Sequence, residues 1–233
     1  MLGETGVLGE AGVIWQVVVP VKATRNAKSR LAAEPNRAAL AEAFALDTVA
    51  ALVSAPTIER VFVVTTSSHL GARLAELGAV IVIETQADGQ ADLRHNAVDD
   101  ASGHARLNAA IELGIQAARH TRPQANIMVM LGDLPALRPA DLAAACELAA
   151  GQRRSMVPDA DGTGTTSLFA RAGLSLRPRF GVGSRAKHET DGHVVLGLPH
   201  NSSLRRDVDT SVDLAAARAL GVGPHTSALL SDG

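Results

Sequence analysis

Asp133 stands in Gly132-Asp133-Leu134-Pro135, directly after the apolar run Asn126–Leu131, and Asp207 and Asp209 flank Val208 just before Thr210-Ser211-Val212-Asp213. Ligands of open α/β sheets gather at the carboxyl ends of strands, so carboxylates placed after short apolar runs are candidates to hold a cation there. Alternate residues of an extended segment point the same way, which lets Asp207 and Asp209 face one ion. Hard oxygen donors, without Cys or His at metal spacing, favour Mg²⁺ over Zn²⁺. Each acid also has a plainer reading, Asp209 as part of a helix start and Asp133 as a turn cap. Near the beginning, Lys22, Arg25, Lys28 and Arg30 follow the apolar run Trp15–Val19. A cationic loop after the first strand suits a polyphosphate, and taken alone it reads equally well as a solvated basic loop.

Two small-residue loops could hold a second anion. Asp161-Gly162-Thr163-Gly164-Thr165 offers backbone N–H groups and hydroxyls, the makings of an anion nest. Phe180-Gly181-Val182-Gly183-Ser184-Arg185-Ala186-Lys187-His188 adds two cations, and His188 among them is a candidate to assist anion binding or a solvated loop position. Other chemistries lose ground. There is no G-x-S-x-G elbow, no G-x-x-x-x-G-K-[ST], no G-x-G-x-x-G after the first strand and no HExxH. The single Cys146, inside LAAACELAA, excludes an intramolecular disulfide and reads as a buried small hydrophobe.

The elements that must carry these residues can be read in order. Trp15–Val19 is a buried strand broken by Pro20, Asn36–Val53 a helix, Arg60–Thr65 a strand, His69–Leu77 a short helix and Val80–Glu84 a strand. This β-α-β-α-β order with near-continuous apolar strands predicts a parallel sheet covered on both faces. The polar stretch Thr85–Arg106 reads as a long loop, followed by a helix over Leu107–His120, a strand over Asn126–Leu131 and a helix over Pro139–Ala150. Beyond it the pattern turns more β-like. Short strands are predicted at Ser155–Pro158, Thr166–Ala170, His193–Leu198 and Leu204–Val208, then a helix opened by a Thr210/Asp213 capping box. The fold class is therefore α/β, a Rossmann-like half followed by a mixed β half. One domain is predicted over 14–226, between a loose leader (1–13) and a loose tail (227–233).

A length of 233 residues can bury a sizeable core, and a formal net charge of -2 argues against a dedicated nucleic-acid binder. No apolar run reaches the roughly 18 residues that span a bilayer, and the first dozen residues lack a basic signal region. A cytoplasmic protein without membrane or nucleic-acid partners is expected; a homodimer is compatible with the sequence.

Several of these motifs occur together, in order, in a known family. Val21-Lys22 with Ala27-Lys28-Ser29-Arg30-Leu31, Leu107-Asn108-Ala109-Ala110-Ile111, Gly132-Asp133-Leu134-Pro135-Ala136-Leu137, Gly162-Thr163-Gly164-Thr165-Thr166, Pro178-Arg179-Phe180-Gly181 and Asp207-Val208-Asp209-Thr210 resemble the guanylyltransferases of coenzyme F-420 biosynthesis. The likeness runs from about Val17 to Thr226 and is to the actinobacterial branch, which uses phosphoenolpyruvate; the archaeal branch is described with 2-phospho-L-lactate. The resemblance implies a glycosyltransferase-A-type nucleotidyltransferase fold with a mixed sheet. It implies an enzyme that joins GTP to phosphoenolpyruvate and releases pyrophosphate, giving enolpyruvoyl-diphospho-5'-guanosine. By motif, Thr165, Gly181 and Ser184 would bind phosphoenolpyruvate, and Asp133, Asp207 and Asp209 would hold Mg²⁺. Lys22, Lys28 and Arg30 would bind the triphosphate and, with Asp133, make up the catalytic set; Asn108 would lie near the nucleoside. The stretch Thr85–Arg106 is longer than the family pattern, and no guanine contact is assigned to it.

The alternatives are the same reaction with 2-phospho-L-lactate or 3-phosphoglycerate, or a related enzyme such as a molybdopterin guanylyltransferase or a cytidylyltransferase. Those related enzymes carry a glycine-rich first loop, unlike PVKATRNAKSRL here. A glycosyltransferase usually has its Asp-x-Asp mid-chain, and a non-catalytic nucleotide-binding regulator would not need all three carboxylates.

Overall fold

All seven residues of β1 (Trp15–Val21) are buried, the condition of a strand covered on both faces. The strand belongs to a computed structural model that describes residues 13–21, 36–84 and 100–231, the side chains of 100 and 101 apart. Its alternation divides the core in two. Val17 and Val19 enter an apolar cluster with Leu46 and Val49 of helix α1 (Arg37–Val53) and Leu142 and Cys146 of α4 (Pro139–Ala150). Val18 enters a second cluster with Ile111 and Ile115 of α3 (Asp100–Thr121) and with Phe62 and Val64 of β2 (Ile58–Thr65). Successive strand side chains face opposite ways, so one run of valines binds both helical layers.

The other strands are β3 (Val80–Ile83), β4 (Asn126–Met130), β5 (Arg154–Val157), β6 (Ser167–Ala170) and β7 (Val194–Val195). They form one sheet in the order β3-β2-β1-β4-β6-β5-β7. The sheet is mixed, as expected: β1 to β4 are parallel, β6 runs antiparallel to β4 and β5, and β7 is parallel to β5. Helix α2 (Ser68–Glu76), capped by the Ser67 side chain, links β2 to β3. The chain steps outward from β1 to β3 and then returns across β1 to β4. Strand order therefore reverses between β1 and β4, and the crevice at their carboxyl ends is the switch point where such sheets bind ligands.

Four expectations are corrected. Pro20 does not end β1: pairing with β4 stops at Val18 while pairing with β2 runs to Val21, so the proline falls where one side is already an edge. Helix α3 starts at Asp100 rather than Leu107; Ser102 and Gly103 are weak helix formers, and this turn is packed against a later segment. Residues 85–99 of the expected loop lie outside the described residues. Leu204–Val208 is not a strand, and the expected run His193–Leu198 contributes only β7. Instead, Asp141 accepts both the N–H and the O–H of Ser203 at 2.7 Å, and a 3-10 turn, Ser203–Arg205, follows.

The carboxyl end is also more ordered than expected. Helix α6 (Ser211–Leu220) opens with the Thr210/Asp213 capping box, but the tail expected to be loose from 227 is helical, as α7 (Pro224–Ser231). Buried Asp47 of α1 accepts the N–H groups of His225 (3.0 Å) and Thr226 (2.9 Å), while Pro224 opens the helix where a missing N–H costs nothing. Among the described residues, no helix is long and apolar enough to cross a membrane.

Candidate active site

Three hydrogen bonds lace distant motifs together at the switch-point edge. Just beyond β4, the Leu131 N–H donates to the Thr166 carbonyl at 3.0 Å, and the Val208 N–H donates to the Asp133 carbonyl at 3.0 Å. The Thr166 hydroxyl donates to the Leu204 carbonyl at 2.5 Å. Gly132-Asp133, the threonines of the glycine loop and Asp207-Val208-Asp209 thus meet at one place. Val208 is buried, Asp207 and Asp133 are half-buried and Asp209 is exposed, so the valine anchors the segment and its acidic neighbours stay on the side away from the core. The Asp133 turn is itself pinned. Thr48 of α1 accepts the Leu134 N–H at 3.1 Å and donates its own proton to the Phe44 carbonyl at 2.7 Å.

Among the described residues, no three His, Cys, Asp or Glu side chains are grouped closely enough to hold a metal ion by themselves. Asp133, Asp207 and Asp209 share an edge without forming a ready cage. That donor set fits Mg²⁺, which keeps several waters and is usually held by one or two carboxylates together with substrate phosphates. Lys22, Lys28 and Arg30, with Arg25, lie outside the described residues. Sequence reasoning missed another cation at this edge: Arg205 is buried, and its Nη2 donates to the Asp159 carbonyl at 3.0 Å.

The glycine loop turns out to be occupied by the chain itself. The Asp159 carboxylate accepts the Thr163 N–H at 3.0 Å through Oδ1 and the Gly164 N–H at 2.8 Å through Oδ2. A Cβ on Gly164 would lie 2.2 Å from that Oδ2, so only glycine allows the carboxylate in. The Thr163 and Gly164 N–H groups of the expected nest therefore have their anion already, and the threonine hydroxyls are among what the loop has left to offer a ligand. Arg185 ties this loop to the next motif through its own N–H to the Thr163 carbonyl (3.2 Å) and its Nη1 to the Gly162 carbonyl (3.0 Å).

The second small-residue loop folds into a short helix, α5 (Ser184–Thr190), with Ser184 buried at its start and the Ser184 N–H donated to the Gly181 carbonyl at 3.0 Å. His188, read as a loop position among cations, is fully buried in this helix. Its Nδ1 lies 3.0 Å from the Thr165 Oγ1, and its Nε2 accepts the Arg179 N–H at 3.0 Å. Burial, and then the neighbouring His193, push the imidazole pKa down to about 4, so His188 is neutral at pH 7.

The amide of Asn108, the residue expected near a nucleoside, is engaged with backbone groups. Its Oδ1 accepts the Phe180 N–H at 2.9 Å, and its Nδ2 donates to the carbonyls of Phe180 (3.1 Å) and His104 (2.9 Å). Both amide protons are spent on backbone, and the side chain brackets Phe180 onto α3. Gly181 follows with φ +123°, and a Cβ there would come 2.6 Å from the His104 ring. Backbone conformation and close approach both demand glycine at this point.

No family model matches the chain. Among solved structures it is similar to a protein of Desulfovibrio desulfuricans G20 described as a nucleotide-diphospho-sugar transferase, with a TM-score of 0.60, 15% identity and 94% of each chain covered. It is also similar to a 4-diphosphocytidyl-2C-methyl-D-erythritol synthase, with a TM-score of 0.50 and 14% identity over 89% of this chain and 98% of that one. At such identities the likeness shows the fold, that of nucleotide-diphospho-sugar transferases. Curated relatives decide the family. The phosphoenolpyruvate guanylyltransferase of Sanguibacter keddieii is 45% identical, with 93% of this chain and 84% of that protein covered. That of Streptomyces avermitilis is also 45% identical, with 92% and 93% covered. The chain belongs to the phosphoenolpyruvate guanylyltransferase family.

Within this phosphoenolpyruvate guanylyltransferase framework, the fold brings Thr165, Gly181 and Ser184 together through Arg185 and His188, and it sets Asp133 beside Asp207 and Asp209 through the Val208 bond. Asn108 joins the first group as a bracket. Asp159 and Arg205 are additions that sequence reasoning did not single out, and His188, a candidate there for assisting anion binding or for a solvated loop position, lies buried beside Thr165. Asp159 had a local signal, an acid four residues before the loop N–H it accepts; the other two have partners too distant in sequence to be read.

Proposed function

We propose that the protein is a guanylyltransferase that joins GTP to phosphoenolpyruvate, forming enolpyruvoyl-diphospho-5'-guanosine and pyrophosphate in coenzyme F-420 biosynthesis. One observation carries the reading: in a chain of this family, the acidic motifs and the Thr165–Ser184 region are hydrogen-bonded into a single edge at the switch point. A cytoplasmic site of action goes with it.

The chemistry asks little of acids and bases. A phosphate oxygen of phosphoenolpyruvate, already anionic, attacks the α-phosphorus of GTP, and pyrophosphate leaves in line. No group needs to remove a proton from the nucleophile. The difficulty is bringing two polyanions together, so positioning and electrostatics carry the rate. Thr165 and the backbone around Gly181 and Ser184 would orient the acceptor. Lys22, Lys28 and Arg30 would stabilise charge gathering on the departing pyrophosphate. Asp133, Asp207 and Asp209 would hold Mg²⁺, which when bound offsets charge at the phosphates.

The test is pyrophosphate release from GTP with phosphoenolpyruvate, 2-phospho-L-lactate and 3-phosphoglycerate offered in parallel, each with and without Mg²⁺. Turnover should be fastest with phosphoenolpyruvate. Faster turnover with another acceptor would reassign the substrate, and no turnover with GTP and any of the three would reject the reading.

A further inference from the structure

Thr165 and His188 share one buried hydrogen bond, and which of them donates decides what Thr165 can offer a ligand. The answer comes from the far side of the imidazole. A peptide N–H can only donate, so the Arg179 N–H at 3.0 Å from Nε2 requires a lone pair there and places the ring proton on Nδ1. That Nδ1–H then donates to the Thr165 Oγ1 at 3.0 Å. A hydroxyl that accepts this bond still has a proton of its own to give. Its other hydrogen-bonding neighbour among the described residues is the Met156 sulfur at 4.0 Å, a weak acceptor. With the opposite tautomer the hydroxyl would spend its proton on His188 and turn lone pairs toward an incoming anion.

We propose that His188 is a positioning residue that presets the Thr165 hydroxyl as a hydrogen-bond donor to the anionic acceptor substrate. The ring is held for this task. Phe180 and His193 pack edge-on against it at centroid distances of 5.3 and 5.6 Å, and the His193 Nδ1–H donates to the His188 carbonyl at 3.1 Å. The charged and titratable groups around it are His193, Asp191, Arg179 and Lys187, and Arg179 is paired with Asp191 at 2.7 Å. This inference rests on the reading of Thr165 as an acceptor ligand.

The experiment compares steady-state pyrophosphate release, with GTP and phosphoenolpyruvate varied separately, for the wild type, T165V, H188N, H188Q and H188Q/T165V, with melting curves for each. Asn at 188 can keep an N–H near the Nδ1 position, whereas Gln can only reach the Nε2 side. The expected result is an acceptor KM raised roughly tenfold in H188Q and in T165V, as for one hydrogen bond. The GTP KM should stay unchanged, H188N should lie close to the wild type, and the double variant should be no worse than T165V. An unchanged acceptor KM in T165V overturns the acceptor reading of Thr165 and the positioning role with it. A raised KM in T165V beside a wild-type value in H188Q overturns the positioning role alone. Equal damage in H188N and H188Q, a GTP KM that moves with the acceptor KM, or additive losses in the double variant make His188 merely structural, which also overturns it.

Discussion

Asp159 turns a loop that looks built for a ligand into a finished piece of structure. Its carboxylate satisfies two backbone N–H groups, and bonds to a charged acceptor are worth about 1.5–3 kcal/mol each at most. Asp159→Ala is expected to cost about 2–3 kcal/mol in urea denaturation and to raise the acceptor KM several-fold, because Thr165 directly follows the Gly164 that the carboxylate holds; a shift in GTP KM alone would contradict this. Asp133→Ala should behave in the opposite way. The bond from Val208 goes to the Asp133 backbone and survives truncation, so the melting temperature should hold within a few degrees. Pyrophosphate release should fall by at least ~100-fold, as on losing a major electrostatic group; wild-type activity with Mg²⁺ would remove Asp133 from the metal role. Asp133 was legible as an acid beyond a strand because the apolar run of β4 and the carboxylate after it are local in sequence, whereas Asp207 and Asp209 follow a 3-10 turn and not the expected strand. The occupied nest was misread because a glycine turn looks the same whether its anion comes from solution or from Asp159. His188 was a candidate for anion binding, but its buried contact could not be read, since its partner Thr165 lies 23 residues away.

Elements show the same division between local and distant causes. β1, α1, β4 and α4 follow from apolar runs and periodicity, and α6 from its own capping box. The first turn of α3, the 3-10 turn and α7 depend instead on His104 meeting Gly181, on Asp141 and on Asp47, contacts that no window along the chain contains. Asn108 belongs to this second kind. It was read as a neighbour of the nucleoside, yet its amide joins α3 to the segment that leads into α5. Asn108→Ala is accordingly expected to destabilise the fold by about 2–4 kcal/mol, leaving the Phe180 peptide groups unpaired. It should raise the acceptor KM several-fold with the GTP KM unchanged. Separate titration of the two substrates decides this: a rise confined to GTP would return Asn108 to the nucleotide side.

For the whole molecule, the buried histidine pair ties stability to pH. An imidazole in the unfolded chain protonates near pH 6.5, whereas burial and then His193 hold His188 down to about 4; His193 is lowered as well, chiefly by burial. Between these limits the unfolded chain binds more protons than the folded one, so stability falls as pH falls. The loss should be absent above about pH 6.5, grow below it and level off near pH 4, reaching about 3 kcal/mol for His188 at roughly 1.4 kcal/mol per pH unit. That is a large share of the 5–15 kcal/mol typical of a folded domain. Urea midpoints at about pH 7.5, 6.5, 5.5 and 4.5 should therefore decline stepwise in the wild type, and less steeply in H188N, which has no imidazole to protonate at this position. A wild-type midpoint flat over this range would mean that the folded pair accepts protons as readily as the unfolded chain. Carboxylates that titrate toward the acid end affect both proteins alike, so the difference between the two slopes isolates the imidazole. Protons taken up by the unfolded chain lower stability in this window, while the folded ring stays neutral until the pH nears 4. Only there would a proton sit on Nε2, facing the Arg179 N–H, and break the contact that sets the tautomer, so acid should loosen the fold first and weaken acceptor binding only at its lower limit.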